Sequence, residues 1–531
     1  MALILFNVIF FGGVLVQPFR VAEKEPGHHQ VCLRADMAPD GHFAVAWVDS
    51  LVIDQFDSDH ELFIRFFDKN GSPLTDPYCV DKLQDTNWVF WPCLKMDTTG
   101  NAVLVWLDNR TRNDQNLSNI RCQVFNPEGN PTGTVQTLKE QVWISGSSTI
   151  GMNLNDNGQF VMVWDEHSAT ADPHGIWAQR FSFDGVPLCE EFIVQEQYLP
   201  ESTFFNFKVP QAALNDNGDL VVTWLAFDER LVVFTAPMFQ VFDSENNPIL
   251  PIMPGGHRAD DGDSVHFASR VKAHWLDDDK FVLFWADKLW GRRYYDLLGR
   301  VFSDRGLTRN YLSDHLLPDD TLTATFGDSK GQYSIDVGQI SEWEIADFAF
   351  AYPRIYTDPD DMFFNWDHQA GLLGTVDLAS LVKRSSYHFQ FTPPWGADTV
   401  VPRFPDFSSQ APAVAVCNDR IVWSYCRYNS DKELEAWVMI SDWDMPDENM
   451  IEEEPLVNPS PIKLSSTLNR LSYEVPGEAT LILYNSAGRR VTEQVITGKG
   501  VWIPADLSSG VYFARVESTQ GSARAKVVVV R

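Results

Sequence analysis

The sequence predicts an all-β protein, a seven-bladed β-propeller followed by a small C-terminal immunoglobulin-like β-sandwich. The main observation is that a tryptophan closes each of seven similar apolar runs, at Trp47, Trp106, Trp164, Trp224, Trp285, Trp366 and Trp423. Neighbouring tryptophans are 59, 58, 60, 61, 81 and 57 residues apart, which indicates a unit of about sixty residues repeated seven times. A cluster of short strand patterns after an acidic stretch predicts the second domain.

Each repeat is predicted to contain four strands, A to D, joined by turns. Strand B runs from a glycine to the tryptophan, as in Gly41–Trp47, Gly100–Trp106, Gly158–Trp164 and Gly218–Trp224. Strand C ends about eighteen residues later, at a second turn that contains a glycine such as Gly71 or Gly129. Because Phe43–Trp47 is apolar on both sides of the strand, each small sheet needs cover on both faces. Neighbouring blades of a propeller provide that cover.

The second half of the chain is less regular. The gap before Trp366 requires an insertion of about twenty residues, which we place within 310–350, and the run before Trp366 lacks the glycine. Trp343 is the alternative anchor for this repeat. The blade type therefore follows from the first four repeats, whereas the blade count depends on this assignment.

The two ends of the repeat region predict how the ring closes. The last repeat supplies strands A, B and C and reaches residue 440, where an acidic linker takes the place of strand D. The N-terminal segment Gly13–Val21 is similar to Gly185–Val194, which follows strand C in an earlier repeat. We therefore expect a propeller over residues 13–440 whose last blade is completed by the N-terminal strand, which also covers an open sheet edge.

Residues 1–12 have two interpretations. Met1–Phe11 is apolar like the core of a signal peptide, although no Lys or Arg precedes it and no small-residue cleavage site follows. The same residues match strand C of a blade, so they are either a degraded signal peptide or a truncated blade strand. No later stretch holds eighteen uninterrupted apolar residues, so no transmembrane helix is expected.

Charge and cysteine content narrow the class of protein. The chain of 531 residues carries a net charge of −32. Residues 459–531 hold nine Lys or Arg and five Asp or Glu, so the preceding residues carry −36 and would be repelled by nucleic acid and acidic lipid. The seven cysteines are scattered without Cys-x-x-Cys spacing, which favours buried apolar cysteines over a disulfide framework.

The predicted C-terminal domain follows an acidic linker at residues 441–458. Its strand patterns are Arg470–Val475, Ala479–Tyr484, Gly500–Ile503, Gly510–Val516 and Ala525–Val530. The turns between them are predicted at Pro476–Gly477, Ser486–Gly488 and Ser508–Gly510. These features predict a β-sandwich over residues 459–531.

In this region the chain resembles the C-terminal sorting domain of the bacterial type IX secretion system. The residues that carry the resemblance are Asn458–Pro461, Val475–Pro476, Leu483–Arg489, Asp506–Phe513 and the closing Lys526–Arg531. The resemblance covers only the last seventy-odd residues and follows the family's motif order to the terminus. It implies export by that secretion machinery to the medium or to the outer-membrane surface of a Gram-negative bacterium, often with removal of the domain. An ordinary terminal immunoglobulin-like domain is the alternative.

Ligand-binding candidates lie in the loops of one propeller face. The B-to-C and D-to-A connections share that face, so their residues can be pooled. Aromatic rings stack on sugar rings, and charged groups bond to hydroxyls, although a protein partner could use the same anchors. The candidate ligand-binding residues are Asp59, His60, Trp88, Trp91, Arg110, Arg112, Trp143, His167, Trp290 and Arg292.

An acid recurs shortly after the tryptophan, at Asp49, Asp108, Asp165, Asp287 and Asp367. Such acids commonly cap the following loop, which is the favoured interpretation here. As a ring they would suit calcium, and in pairs they would suit general acid–base chemistry. No cofactor is otherwise predicted, and no catalytic residue is assigned. The turns lack the Ser-x-Asp-x-Gly-x-Thr-Trp pattern of a sialidase, and the chain lacks a Gly-x-Ser-x-Gly elbow or a His-Glu-x-x-His zinc motif.

Two functional hypotheses follow from the loop face. The favoured one is a non-catalytic secreted or cell-surface protein that binds a glycan or another protein. The rival is a secreted glycan-degrading hydrolase or lyase built on the propeller. A purely structural spacer is a third hypothesis.

Overall fold

A computed structural model gives the fold. It describes residues 13–52, 58–86, 92–108, 117–143, 150–166, 175–196, 205–228, 234–255, 266–276, 278–289, 294–303, 322–323, 334–340, 346–357, 364–377, 380–389, 412–417, 419–429, 431, 433–443, 463–467, 470–485, 490–503, 507–508, 510–518 and 521–529. Within these ranges the chain is all-β, as predicted from the sequence, and contains no helix. Accordingly, no described segment is a helix with the length and apolar character needed to cross a membrane.

Strands β1 to β28 belong to the N-terminal part of the chain. Their bounds are β1 Val14–Arg20, β2 His28–Met37, β3 Phe43–Val52, β4 Ser58–Phe67, β5 Tyr78–Thr86, β6 Cys93–Met96, β7 Ala102–Asp108, β8 Leu117–Phe125, β9 Pro131–Trp143, β10 Gly151–Leu154, β11 Gln159–Glu166, β12 Gly175–Ser182, β13 Phe192–Glu196, β14 Phe205–Leu214, β15 Leu220–Asp228, β16 Phe234–Phe242, β17 Met253–Pro254, β18 His266–Trp275, β19 Lys280–Leu289, β20 Tyr294–Ser303, β21 Leu322–Thr323, β22 Ser334–Ile340, β23 Ala346–Thr357, β24 Phe364–Asp377, β25 Ser380–Phe389, β26 Ala413–Cys417, β27 Arg420–Tyr428 and β28 Leu434–Ser441.

These strands pair mainly as antiparallel meanders of four. Strands β2–β5, β6–β9, β10–β13 and β22–β25 form separate four-stranded sheets. Strands β14–β17 and β18–β21 form two further meanders, which a single parallel bridge between Thr235 and Phe267 joins into one sheet. In the remaining sheet, β26, β27 and β28 are followed by β1 from the other end of the chain, with Val14 opposite Ser441 and Arg20 opposite Trp437.

The first strands of successive meanders are neighbours in space. Strand β2 contacts β6, β6 contacts β10, β10 contacts β14, and β14 contacts β18. Strand β26 contacts both β22 and β2. The first strands therefore line the interior of this part of the chain, and the last meander lies against the first.

Six of the seven repeated tryptophans are core residues. Trp47, Trp106, Trp164, Trp224, Trp285 and Trp423 lie on second strands and are at most 1% exposed, which confirms that their role is packing. The second strands are buried on both sides, as in Ala102–Asp108, where every residue is buried. A buried indole contributes about 4–6 kcal/mol of transfer free energy before chain entropy is subtracted.

Trp366 departs from this pattern. It lies on β24, the third strand of its sheet, opposite Ile355 of β23, and not on a second strand. The second strand of this meander is β23, whose apolar run Phe348–Tyr352 contains no tryptophan. The assignment of Trp366 as the anchor of strand B was therefore wrong, because aromatic and small residues fill that strand instead. The alternative anchor Trp343 lies outside the described residues.

Side-chain oxygens organise the turns between strands. The carboxylate of Asp97 accepts hydrogen bonds from the amides of Thr99 and Asn101, at 2.9 Å each. Gly100 follows with φ near +88°, a conformation that residues with a Cβ rarely adopt, and an added Cβ there would overlap the His42 ring. The asparagine–glycine and aspartate–glycine signals of the sequence thus correspond to Asx turns.

The cysteines carry no crosslinks. All seven lie within the described residues and all are free thiols. Cys32, Cys122, Cys417 and Cys426 are buried, and the other three are partly buried. The prediction of buried apolar cysteines without a disulfide framework is confirmed.

Contacts divide the chain into two compact units, residues 1–450 and 451–531. The second unit contains β29 Lys463–Thr467, β30 Arg470–Asn485, β31 Arg490–Trp502, β32 Gly510–Ser518 and β33 Gly521–Val529. These strands form one sheet in the order β29-β30-β32-β33, with β31 also paired to β30.

One predicted turn in this unit is absent. Strand β30 continues through Pro476–Gly477, where a turn was predicted, and its pairing with β31 skips between Glu474 and Glu478. Proline lacks the N–H that a continuous ladder needs, and an irregularity in the pairing accommodates it without reversing the chain. Leu471, Leu481 and Val516 are among the residues of the buried core below this sheet.

Strand β1 offers a matched test of how the N-terminal segment is held. Val16 packs against the core shared by the first and last sheets, whereas Leu15 is 48% exposed. We expect Val16→Asp to lower the free energy of unfolding by about 2–4 kcal/mol, because it places a charge against apolar side chains. Leu15→Asp is the control, with an expected change within about 0.5 kcal/mol. Urea unfolding measures both, and equal effects would contradict this packing of β1.

Candidate functional site

A cluster of charged side chains lies where the first and last sheets meet. We call it the junction cluster, and it consists of Lys24, His28, His29, Asp49, Glu61, Lys82 and Glu433. Its members come from the link between β1 and β2, from β2 to β5, and from the turn between β27 and β28. These elements lie at the end of the sheets where strands B and C are connected, the face predicted to carry the ligand loops.

Three members form a row across neighbouring strands. Asp49 on β3 is directly opposite Glu61 on β4, and Glu61 is opposite Lys82 on β5. The same face carries the stacked rings of Trp47 and Phe63, with centroids 5.5 Å apart. Side chains directly opposite in an antiparallel pair have Cβ atoms about 4.5–5.5 Å apart, so the two carboxyl groups are neighbours.

The two carboxyl groups have different surroundings. Asp49 Oδ1 lies 2.5 Å from His28 Nδ1, and its side chain is 11% exposed. Burial raises the pKa of Asp49, and the hydrogen bond and charge of His28 only partly oppose that shift. Glu61 is more exposed, at 32%, and its carboxylate forms an ion pair with Lys82 at 2.5 Å. The pair therefore combines a shielded acid with an accessible carboxylate.

Glu433 ties the last sheet to the first. Its carboxylate forms an ion pair with the buried Lys24 and accepts a hydrogen bond from the Gly27 amide at 2.5 Å. Burial acts to raise the pKa of Glu433, but hydrogen bonds from Lys24, Asn429 and Gly27 outweigh it and lower the pKa to about 2. Glu433 therefore holds the segment that leads into His28.

His29 is a buried neutral imidazole. It is 8% exposed, and its Nδ1 accepts a hydrogen bond from the Leu434 amide at 3.2 Å. Burial lowers the pKa of His29 to about 4, while Glu433 acts in the opposite direction. The acceptor role of Nδ1 requires the deprotonated nitrogen, in agreement with that shift.

Two of the candidate ligand-binding residues, Asp59 and His60, lie on β4 beside this cluster. His60 is 3% exposed, and its Nδ1 lies 2.7 Å from Ser50 Oγ, while Asp59 is partly buried. Trp143 is the last residue of β9, where only its backbone position is described. The other seven candidates, Trp88, Trp91, Arg110, Arg112, His167, Trp290 and Arg292, lie outside the described residues.

The recurring acids are in the strands and make side-chain contacts. Asp108 is the last residue of β7, and its Oδ2 lies 2.6 Å from Arg121 Nε on β8. Asp165 is also buried within β11. The side chains of Asp287 and Asp367 lie outside the description. No group of three or more metal-ligating side chains occurs among the residues that the structure describes.

Sequence reasoning singled out only Asp49 among the seven residues of the junction cluster. The Asp49–Glu61 pair follows from the hairpin register that places Trp47 opposite Phe63, so extending the predicted B–C pairing by two residues would have found it. Lys24 and Glu433 are more than 400 residues apart in sequence, and no local pattern connects them.

The arrangement offers two kinds of chemistry. Adjacent carboxyl groups with unlike shielding suit proton transfer, because one favours the protonated form and the other the charged form. Alternating donors and acceptors at Lys82, Glu61 and His28 also suit the hydroxyl groups of a sugar.

Comparisons with known proteins give fold-level similarities only. No family model and no curated protein matches the chain. The solved structures similar to it include a protein of unknown function from Dyadobacter fermentans, at 10% identity over 80% of this chain and 99% of that one, with a TM-score of 0.42. An α-L-arabinanase from Penicillium chrysogenum is 8% identical over 80% and 97%, with a TM-score of 0.39. A sialidase from Trypanosoma rangeli is 11% identical over 87% and 86%, with a TM-score of 0.35.

The acid stability of the protein should depend on His29. Because the folded pKa lies below the ordinary 6.5, its contribution is complete above pH 6.5 and is lost as the pH falls to about 4. We expect His29→Asn, which keeps an acceptor near Nδ1, to remove about 2–3 kcal/mol of the stability lost between pH 7 and pH 4. Urea unfolding across this pH range measures it. Parallel pH curves for the two proteins would contradict the assignment.

Proposed function

We propose that residues 13–440 form a seven-bladed β-propeller. Support comes from the seven groups of four strands when β1 is counted with β26–β28, and from the contacts between successive first strands. Pairing of β1 with β28 places an N-terminal strand at the edge of the last group. This arrangement provides the two-sided cover that the apolar second strands require.

We further propose that this propeller acts on a glycan, with Asp49 and Glu61 as its acid and base. The single observation that carries this function is the pairing of the two carboxylates across β3 and β4. Their Cβ separation of about 4.5–5.5 Å is compatible with the carboxyl spacing of about 5–5.5 Å in glycosidases that retain anomeric configuration.

In this reaction Asp49 donates its proton to the glycosidic oxygen as the bond to the anomeric carbon breaks. Glu61 attacks that carbon and forms a covalent glycosyl ester. Water then attacks the same carbon, gives its proton to Asp49, and releases Glu61 and the sugar. The raised pKa of Asp49 favours the protonated form needed in the first step.

A non-catalytic glycan-binding protein is the second candidate. The observation in its favour is that Asp49 is only 11% exposed and is engaged by His28, which limits access to a proton donor. In that case Glu61 and Lys82 would hold sugar hydroxyls, and no bond would break.

One experiment separates these functions. The full chain is incubated with a panel of neutral and acidic polysaccharides, and both retention and release of reducing ends are measured. We expect Asp49→Asn and Glu61→Gln each to lower the rate of product release by about 10²–10⁴-fold with retention largely kept. Retention without product release in the unaltered protein would select the binding protein, and neither result would contradict both.

Asp108→Asn is the matched control for this assay. Asp108 occupies the position in the second meander that is closest to Asp49, is similarly buried, and pairs with Arg121. We expect its product release to match that of the unaltered protein. An equal loss in this variant would indicate a general effect on folding, and would remove the support for Asp49 as the acid.

We also propose that residues 441–531 direct export through type IX secretion. Support comes from the sequence motifs and from the charge contrast between this region and the acidic remainder. When residues 441–531 are fused to a reporter with a signal peptide in a type IX-competent host, we expect the reporter on the cell surface or in the medium. The same fusion without residues 526–531 is the control. A reporter confined to the periplasm in both cases would contradict this address.

A further inference from the structure

Basic side chains gather on the interior strands of this acidic protein. Arg34 lies on β2, Lys95 on β6 and Lys272 on β18, and all three are partly buried. We call them the inner basic cluster. Strands β2, β6 and β18 are first strands of three different meanders, and these first strands are neighbours in the interior. Arg34 is six residues along β2 from His28, about 20 Å in an extended strand, so the cluster is separate from the junction cluster.

The three cations act on the same space. Burial raises the pKa of the Cys93 thiol on β6, and the charges of Arg34, Lys272 and Lys95 all oppose that rise. Burial lowers the pKa of His274 on β18 to about 3, and Lys272 and Lys95 lower it further. Groups on β6 and β18 thus experience the same lysines from opposite strands, so the charges converge inside the ring of first strands.

One carboxylate accompanies these cations. Asp36 on β2 lies 3.2 Å from Lys95 Nζ through Oδ1, and its Oδ2 accepts a hydrogen bond from the Met96 amide at 2.6 Å. Asp36 is the one acid among the interior side chains of first strands that the structure describes in β2, β6, β10, β14, β18 and β26 around the cluster. The described cluster therefore has three positive groups and one negative group, within a chain of net charge −32.

The backbone is irregular beside these side chains. The pairing of β2 skips between Val31 and Arg34, and that of β18 skips between Ser269 and Val271, just before Lys272. In β2 the skipped Cys32 has φ near +55°, which is uncommon for a residue with a side chain. Bulges redirect the side chains that follow them and are frequent next to functional sites. The same kind of irregularity thus precedes both Arg34 and Lys272.

We propose that the inner basic cluster binds a compact oxyanion, the carboxylate or sulfate group of an acidic sugar. An arginine presents a planar donor pair that matches either group, and lysines add point charges from two sides. A neutral sugar would leave the cluster without a negative partner beyond Asp36. This site goes beyond the proposed glycan activity, because it requires no bond cleavage and no residue of the junction cluster.

The test compares three sugars of similar size that differ at one carbon. Glucuronate carries a carboxylate, glucose 6-sulfate carries a sulfate, and glucose carries neither. Binding of each to the full chain is measured by calorimetry at millimolar concentration and low salt. We expect at least one anionic sugar to bind at least tenfold more tightly than glucose, with affinity that falls as sodium chloride is added. Preference between the two anions identifies the source of the oxyanion.

Variants connect this binding to the cluster. We expect Arg34→Gln and Lys272→Gln each to weaken binding of the anionic sugar at least tenfold, with unchanged circular dichroism. Lys69→Gln, which removes the same charge from an exposed turn, is the control and should bind as the unaltered protein does. If Arg34→Gln fails to fold, Lys272→Gln decides the question alone.

Three results would overturn this site: no binding of either anionic sugar, equal binding of all three sugars, or unchanged anion binding in the folded cluster variants. Asp49→Asn separates it from the proposed activity, because that variant should lose product release and keep anion binding. Anion binding without any polysaccharide cleavage would contradict the glycosidase and leave the oxyanion site standing.

Discussion

The two-sided burial of the second strands is the constraint on which the structure depends. In β7 every residue is buried, and the same is true of Phe43–Ser50 in β3. A sheet with an apolar strand of this kind cannot be stable with one face in water, because a tryptophan and several aliphatic side chains would be exposed on either side. Each meander therefore requires a neighbour on both faces. The pairing of β1 with β28 and the contact of β26 with β2 supply the neighbour that the first meander would otherwise lack.

The electrostatics of the site follow from that contact. The link from β1 to β2 must pass beside the turn between β27 and β28, which brings Lys24 and the Gly27 amide to Glu433. Holding this link positions His28, whose imidazole in turn contacts Asp49. The junction cluster is thus a product of the meeting of first and last sheets. The positive groups Arg34, Lys95 and Lys272, in contrast, lie on interior strands, away from the acids that dominate the composition.

The sequence predicts those features that local patterns determine. The all-β class, the buried tryptophans of second strands and the unpaired cysteines all follow from periodicity and composition. The position of Trp366 could not be read in the same way, because tryptophan is equally compatible with a third strand, and only the pairing with Ile355 distinguishes the two. At Pro476–Gly477 a turn signal and an irregular strand have the same local chemistry. The junction cluster and the inner basic cluster depend on contacts between strands far apart in sequence, for which one chain offers no pattern.

The pairing of β1 with β28 also has a consequence for the order of folding. Val14 must find Ser441, so the partner of the first strand is among the last parts of this unit to be synthesised. At a typical rate of about 5–20 residues per second, the interval is on the order of 20–90 s. Throughout that time Val16 and Phe19 lack the partner strand against which they pack, and the ladder groups of β1 have no complement. The nascent chain therefore passes through a long stage in which its earliest strand is available to bind a chaperone or a second copy of itself.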